Sequence, residues 1–371
     1  MKIALCSDYF YPKTGGITTH VENLARTLEE RGHEVTIITK TADYNDETHG
    51  LNVLRIKSLF SSSQTLDIPH IDELGEALRK NRPDIIHAHH SFSPISLFSI
   101  LVGKKLGIKT VLTNHSIQFL YDFNYLWKPS SFMLFPLKQY INNADRIIAV
   151  SRAAAVFISH FTDKEVTVIP NGVKVEEFAP PTKKFDGKSV LFVGRLVYRK
   201  GLHSLLEAIK QVVDEKIDVE LTIAGSGYLS PILRATVKTT GLQDNVFLRE
   251  SLAKSELVDL YQKANVFVLP SIFGESFGIV LLEAMASKTP IVATAQGGIC
   301  EIVRHMETGL LVRRKNRIKD LAKGILTLLE DKELSERISF NAFREAWKYD
   351  WSIIVEEIEK VYEETLCQTN P

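Results

Sequence analysis

The stretch VLFVGRLVYRKG, Val190 to Gly201, decides how the chain is read. Its first four residues form a short apolar, β-branched run of the kind that fills a buried strand. The run stops at Gly194, and a segment of helical periodicity follows Gly201. Strand, glycine turn and helix in that order make the repeating unit of a parallel sheet covered on both faces by helices.

Moving outward, the same unit recurs on both sides. Strand-like runs precede it at Ile3 to Cys6, Val35 to Thr39, Val53 to Ile56, Ile85 to His87, Thr110 to Asn114, Ile147 to Val150 and Val166 to Ile169. More follow it at Val219 to Ala224, Val246 to Leu248, Val266 to Leu269, Ile291 to Ala293 and Gly309 to Val312. Val21, Leu24 and Leu28 have the spacing of an apolar helix face. The segment Pro170 to Lys188, with Pro170, Gly172, Pro180 and Pro181, breaks the alternation and reads as the connection between two doubly wound domains. After Ile318 only helical patterns remain, at Ile318 to Glu330, Glu333 to Trp347 and Trp351 to Leu366. Two domains also suit the 371 residues, given roughly 100–200 per domain.

Lys+Arg and Asp+Glu are both 45, so no net field recruits a polyanion, and nucleic acid is not an expected partner. Cys6, Cys300 and Cys367 form neither a CxxC pair nor an even framework, which fits a reducing cytoplasm. The opening MKIALCSDYF is cut off by Asp8 too early for a signal peptide and reads as a strand. Apolar stretches such as Ile95 to Val102 fall short of the roughly 20 residues that cross a bilayer. The chain can still sit on a membrane surface.

Doubly wound folds bind ligands beyond the carboxyl ends of their strands. Gly15 and Gly16 follow the first strand and open a helix containing His20. Paired glycines there suit a phosphate, although a tight turn needs them equally. Arg195, Arg199 and Lys200 crowd three cations into six positions after Gly194, an arrangement that a diphosphate would relieve and that solvated surface charge would also explain. Gly225 and Gly227 could let a flat nucleobase lie against the backbone. Glu275 and Glu283 stand eight positions apart, in a loop and in the helix after it. Carboxylates accept from sugar hydroxyls, while the amides around Ser276, Phe277, Gly278 and Ile279 lie at a helix start that favours phosphate. His115 ends a strand of the first half. His89 and His90 are adjacent on a strand and point to opposite faces, so they cannot share one metal ion, and no metal site is expected.

Taken together, Gly15-Gly16 with His20, His115, Gly194-Arg195, Arg199-Lys200-Gly201, Gly225 and Gly227, Glu275 with Phe277-Gly278 and Glu283, and Gly297-Gly298 resemble family 4 of the retaining glycosyltransferases, in the family's order and over nearly the whole chain. The resemblance implies the GT-B fold, an α/β architecture of two Rossmann-like domains facing across a cleft. Residues 1–170 would form the acceptor-side domain and 171–348 the nucleotide-sugar domain, with 349–371 a helix returning to the first. It further implies that Gly15 and Gly16 face the donor phosphates, that His115 contacts the transferred sugar, and that Gly194, Arg195 and Lys200 bind the diphosphate. Glu275 would hold sugar hydroxyls and Glu283 the ribose. No cofactor beyond the donor is implied, because cations and helix ends do the work of a metal.

Within the family, Ser7 to Pro12, Ser91-Phe92-Ser93, Asn114-His115-Ser116 and Arg195 to Gly201 are most similar to the branch that adds N-acetylglucosamine to phosphatidylinositol. UDP-N-acetylglucosamine is therefore the first donor and GDP-mannose the second, with a carbohydrate or lipid acceptor and a peripheral place on the cytoplasmic membrane face. A sugar-nucleotide epimerase of the same fold is the competing enzyme. Arg249 stands where the family has Gly, near the expected base pocket, and leaves uridine and guanosine both open. Between residues 116 and 138, Phe119, Tyr121, Phe123, Tyr125, Trp127, Phe132 and Phe135 interleave with Lys128 and Lys138, which suits either a lipid surface or an aromatic core.

Overall fold

A computed structural model describes residues 1–40, 48–58, 68–117, 135–180, 182, 187–313 and 317–368. The chain forms two compact units, one of Met1–Gly172 with Trp351–Pro371 and the other of Val173–Asp350. The sequence placed these divisions at 170 and 348.

The first unit carries β1 (Lys2–Ser7), β2 (Glu34–Thr39), β3 (Val53–Arg55), β4 (Ile85–His89), β5 (Lys109–Asn114), β6 (Arg146–Ala149) and β7 (Val166–Val168). They form one sheet in the order β3-β2-β1-β4-β5-β6-β7, all neighbours parallel. Because helices cover both faces, β1 is apolar on both: Ile3 and Leu5 enter one core, Ala4 and Cys6 the other. Helix α1 (Gly16–Glu30) buries Val21, Leu24 and Leu28 against the first of these cores, while α2 (Ile71–Asn81) and α3 (Pro94–Leu106) contribute Leu74, Leu78, Ile95 and Val102 to the second.

The terminal helix (Trp351–Cys367) belongs to this unit although 178 residues precede it in the other. Trp351, Ile354, Val355, Ile358 and Tyr362 complete the α1-side core. Polar contacts register the helix, with Arg31 to Glu359 at 2.8 Å and the Tyr362 hydroxyl 2.6 Å from His87 Nδ1. Gly172 has no side chain to keep the Trp351 indole away, since a Cβ there would lie 2.6 Å from the ring.

The second unit carries β8 (Ser189–Val193), β9 (Glu220–Ala224), β10 (Val246–Arg249), β11 (Val266–Leu269), β12 (Ile291–Thr294) and β13 (Leu310–Val312), ordered β10-β9-β8-β11-β12-β13 and again parallel. Its sheet is flanked by α4 (Leu202–Asp214), α5 (Lys254–Lys263), α6 (Ile279–Ala286), α7 (Arg317–Glu330) and α8 (Lys332–Ala346). Strand order reverses between β1 and β4 in one unit and between β8 and β11 in the other, which marks the carboxyl ends of those strands as the ligand positions. No helix among the described residues is long and apolar enough to cross a membrane. The aromatic residues Phe119 to Phe132 and Lys128 lie outside the described residues.

Candidate functional site

In the second unit the sequence candidates converge on the β8/β11 reversal. Lys200 ends a short turn after β8, and its ammonium donates to Glu275 Oε2 at 2.7 Å; Ser271 Oγ donates to the same oxygen at 2.9 Å. Both partners are buried, at 7% exposure each. Burial alone would push the Glu275 carboxyl up. The charges of Lys200 and Arg199 and the two hydrogen bonds outweigh it, holding the group down to about 2. Burial and the neighbouring guanidiniums of Arg199 and Arg195 push the Lys200 ammonium below its ordinary value as well, against the opposing charge of Glu275.

The three cations divide their work. Arg199 is buried and braces the loop before Glu275, donating to the Gly274 carbonyl at 3.1 Å, while the Ile272 amide donates to the Arg199 carbonyl at 2.7 Å. Arg195 is exposed, directly beyond Gly194 at the end of β8. An exposed guanidinium beside a buried ammonium gives an anion two positive partners.

Helix α6 starts right after Gly278, so the amides of Phe277, Gly278 and Ile279 stand at its positive end, with Ser276 just before them. The Phe277 ring is buried, 6.1 Å from Tyr349. Glu283, one turn into α6, is 9% exposed and accepts from the Tyr261 hydroxyl at 2.8 Å. Burial raises its carboxyl to about 7; the Tyr261 bond and Lys254 oppose that rise and Glu177 adds to it.

The glycines after β9 have a packing reason that the sequence reading did not give. A Cβ on Gly225 would lie 2.1 Å from the Gly194 carbonyl oxygen, and one on Gly227 would lie 2.3 Å from that of Leu196. Their missing side chains let the two strand-end loops pack backbone to backbone. Gly225 also has φ 135°, which penalises any side chain. Arg249 is exposed on the edge strand β10, two strands from the reversal, and its carbonyl accepts from the Gly225 amide at 2.9 Å.

In the first unit Gly15 and Gly16 link the β1 end to α1, and His20 lies just over one turn into that helix. His20 is buried beside two others, its ring centroid 4.8 Å from His115 and 5.2 Å from His89. His89 Nδ1 lies 3.3 Å from His115 Nε2. Burial, reinforced by the other histidines, holds His115 well below the ordinary imidazole range, and burial pushes His20 down to about 4, so these rings are neutral. The sequence reading weighs the run His87, His89 and His90; the fold instead gathers His20, His89 and His115, their ring nitrogens within 4.8 Å of one another. Bonds of about 2.0–2.1 Å to a tetrahedral ion require nitrogens roughly 3.4 Å apart. The His89–His115 pair has that spacing, and the trio as a whole is wider.

Sequence reasoning missed Asp8. It is 1% exposed at the end of β1, 3.0 Å from Lys40, and accepts from the Ile95 amide at 3.0 Å, which caps α3 from outside the helix. An acidic residue ending the first strand was the available signal.

Residues 14–177 match the model described as Glycosyltransferase Family 4, and residues 173–345 match that of Glycosyl transferases group 1. An uncharacterized glycosyltransferase of Methanocaldococcus jannaschii is 31% identical over 98% of both chains. The chain belongs to glycosyltransferase family 4. Another relative is the gpi3 subunit of the phosphatidylinositol N-acetylglucosaminyltransferase of Schizosaccharomyces pombe, 28% identical over 99% of this chain and 81% of that one. Among solved structures, HepE of Anabaena in complex with UDP-glucose superposes with a TM-score of 0.82 over 98% of this chain and 100% of that one, at 20% identity. As a family 4 member the chain has the two parallel-sheet, Rossmann-like domains of the GT-B glycosyltransferases.

Proposed function

We propose that this glycosyltransferase moves a sugar, with retention of configuration, from a nucleoside-diphosphate sugar to a lipid or lipid-linked acceptor at a membrane surface, with UDP-N-acetylglucosamine as the first donor. The observation that carries the reading is the buried Lys200–Glu275 pair at 2.7 Å beside Arg195, at the strand reversal of the second unit. The S. pombe relative's name supports the sugar and the lipid.

When the bond from the anomeric carbon to the diphosphate breaks, its electron pair passes to the leaving phosphate oxygen. Arg195, Lys200 and the amides at the start of α6 stabilise that charge more as it develops than before. Glu275 orients Lys200 and accepts from sugar hydroxyls. Glu283 takes the ribose. His115, neutral, hydrogen-bonds the transferred sugar and does not act as an acid. The acceptor oxygen attacks from the face the diphosphate vacates, and a phosphate oxygen takes its proton, so no nucleophilic carboxylate is required.

Donor hydrolysis and transfer to a lipid extract, run with UDP-N-acetylglucosamine and GDP-mannose, test the reading. UDP-N-acetylglucosamine should be consumed and its sugar should appear in lipid, with the rate unchanged by EDTA. Turnover of GDP-mannose alone would make the chain a mannosyltransferase. A rearranged sugar nucleotide formed without acceptor would make it an epimerase, and no turnover would end the proposal.

A further inference from the structure

Glu283 is the carboxylate to which the proposed function gives the ribose, and its surroundings are unusual for a group that must accept two hydroxyls. Tyr261, the eighth residue of α5, is fully buried, and its hydroxyl donates to Glu283 Oε2 at 2.8 Å. The ring is clamped, 5.7 Å from Phe178 and 5.5 Å from Phe267 between centroids. Its carbonyl accepts from Thr289 Oγ1 at 2.7 Å, on the loop that follows α6. The ring is therefore held in place, and its hydroxyl has a second, longer acceptor in the Val280 carbonyl at 3.4 Å. Among the described residues, no hydrogen-bond donor other than Tyr261 reaches the Glu283 carboxylate.

We propose that Tyr261 is a positioning residue for donor binding: its hydroxyl pins Oε2 of Glu283, so that the carboxylate presents Oε1 in a fixed orientation to the nucleoside hydroxyls. A carboxylate on a flexible stem would otherwise lose side-chain freedom on binding, at a cost in affinity. The phenol meets part of that cost when the protein folds. It also supplies a hydrogen bond to the charged form, which burial works against.

The inference rests on the ribose role of Glu283, and the test separates the two. UDP and GDP are titrated calorimetrically into the full chain, wild type, Tyr261→Phe, Glu283→Gln and the double variant, with donor KM and kcat measured alongside. Phenylalanine keeps the ring packing, and circular dichroism verifies the fold. Tyr261→Phe is expected to weaken the bound nucleotide about 2–10-fold, the range for binding that must immobilise one more flexible side chain. Donor KM should rise to match, and kcat should stay within about twofold. The double variant should bind no more weakly than Glu283→Gln, because the tyrosine acts through the glutamate. Unchanged affinity in Tyr261→Phe, or losses that add in full, would overturn the role of Tyr261 while leaving that of Glu283. Unchanged affinity in Glu283→Gln would overturn both.

Discussion

Two buried carboxylates eight residues apart are driven in opposite directions, and each leaves a mark on stability. Glu275 is lowered from 4.5 to about 2, so it stabilises the fold above pH 4.5 and that contribution is lost as pH falls through 2. Glu283 is raised from 4.5 to about 7, so its contribution is complete below pH 4.5 and is lost as pH rises through 7. Glu283→Gln should therefore flatten the fall in melting temperature between pH 4.5 and 7, relieving on the order of 3 kcal/mol at the upper end. Thermal melts across that range measure it; parallel curves for both proteins would refute it. Lys200→Met should lower kcat by about 10²–10³-fold. It should also destabilise the fold by about 3–5 kcal/mol, because Glu275 keeps its charge in a buried site. Adding Glu275→Gln should restore much of the melting temperature and none of the turnover, which separates the structural role of the pair from its chemistry.

At the level of elements, the loops after β8 and β9 meet so closely that Gly225→Ala should cost about 1–3 kcal/mol, as overpacking does, and should weaken nucleotide binding by displacing Gly194 and Arg195. Chemical denaturation together with a UDP titration reads both effects, and a variant with wild-type stability would contradict the packing described. The strands themselves were legible from the chain because each is a short apolar run bounded by turn residues, and both faces of each sheet are covered. Glu275, Glu283 and Lys200 were legible because their spacing follows a known motif. What linear order could not carry is who meets whom. Nothing near Tyr261 in sequence points to Glu283, and the run of three cations does not say that the Arg199 guanidinium meets the Gly274 carbonyl. The glycines after β9 were read as space for a ligand, because a glycine signals close approach without saying to what. The histidines illustrate the same limit: alternation speaks only of neighbours along one strand, but His20 arrives from a helix and His115 from just beyond a neighbouring strand.

For the whole molecule, the first unit is discontinuous in the chain. Removing Trp351 to Pro371 would expose the apolar face of α1 and leave the His87 ring without its Tyr362 partner. The truncated protein should be insoluble or should lose a thermal transition, whereas single substitutions on the outer side of that helix, such as Glu357→Ala, should be silent. A soluble truncation with two intact transitions in calorimetry would argue against a shared core. Chain order then carries a consequence for synthesis. A ribosome delivers the first seven strands early, but their hydrophobic face stays open until the Trp351–Cys367 helix emerges. The nucleotide-binding half can mature in the meantime, so a nascent chain holds one finished module and one unfinished one. Newly made protein is thus most exposed to chaperones and proteases in its earliest-made part, until the Trp351–Cys367 helix emerges to close it.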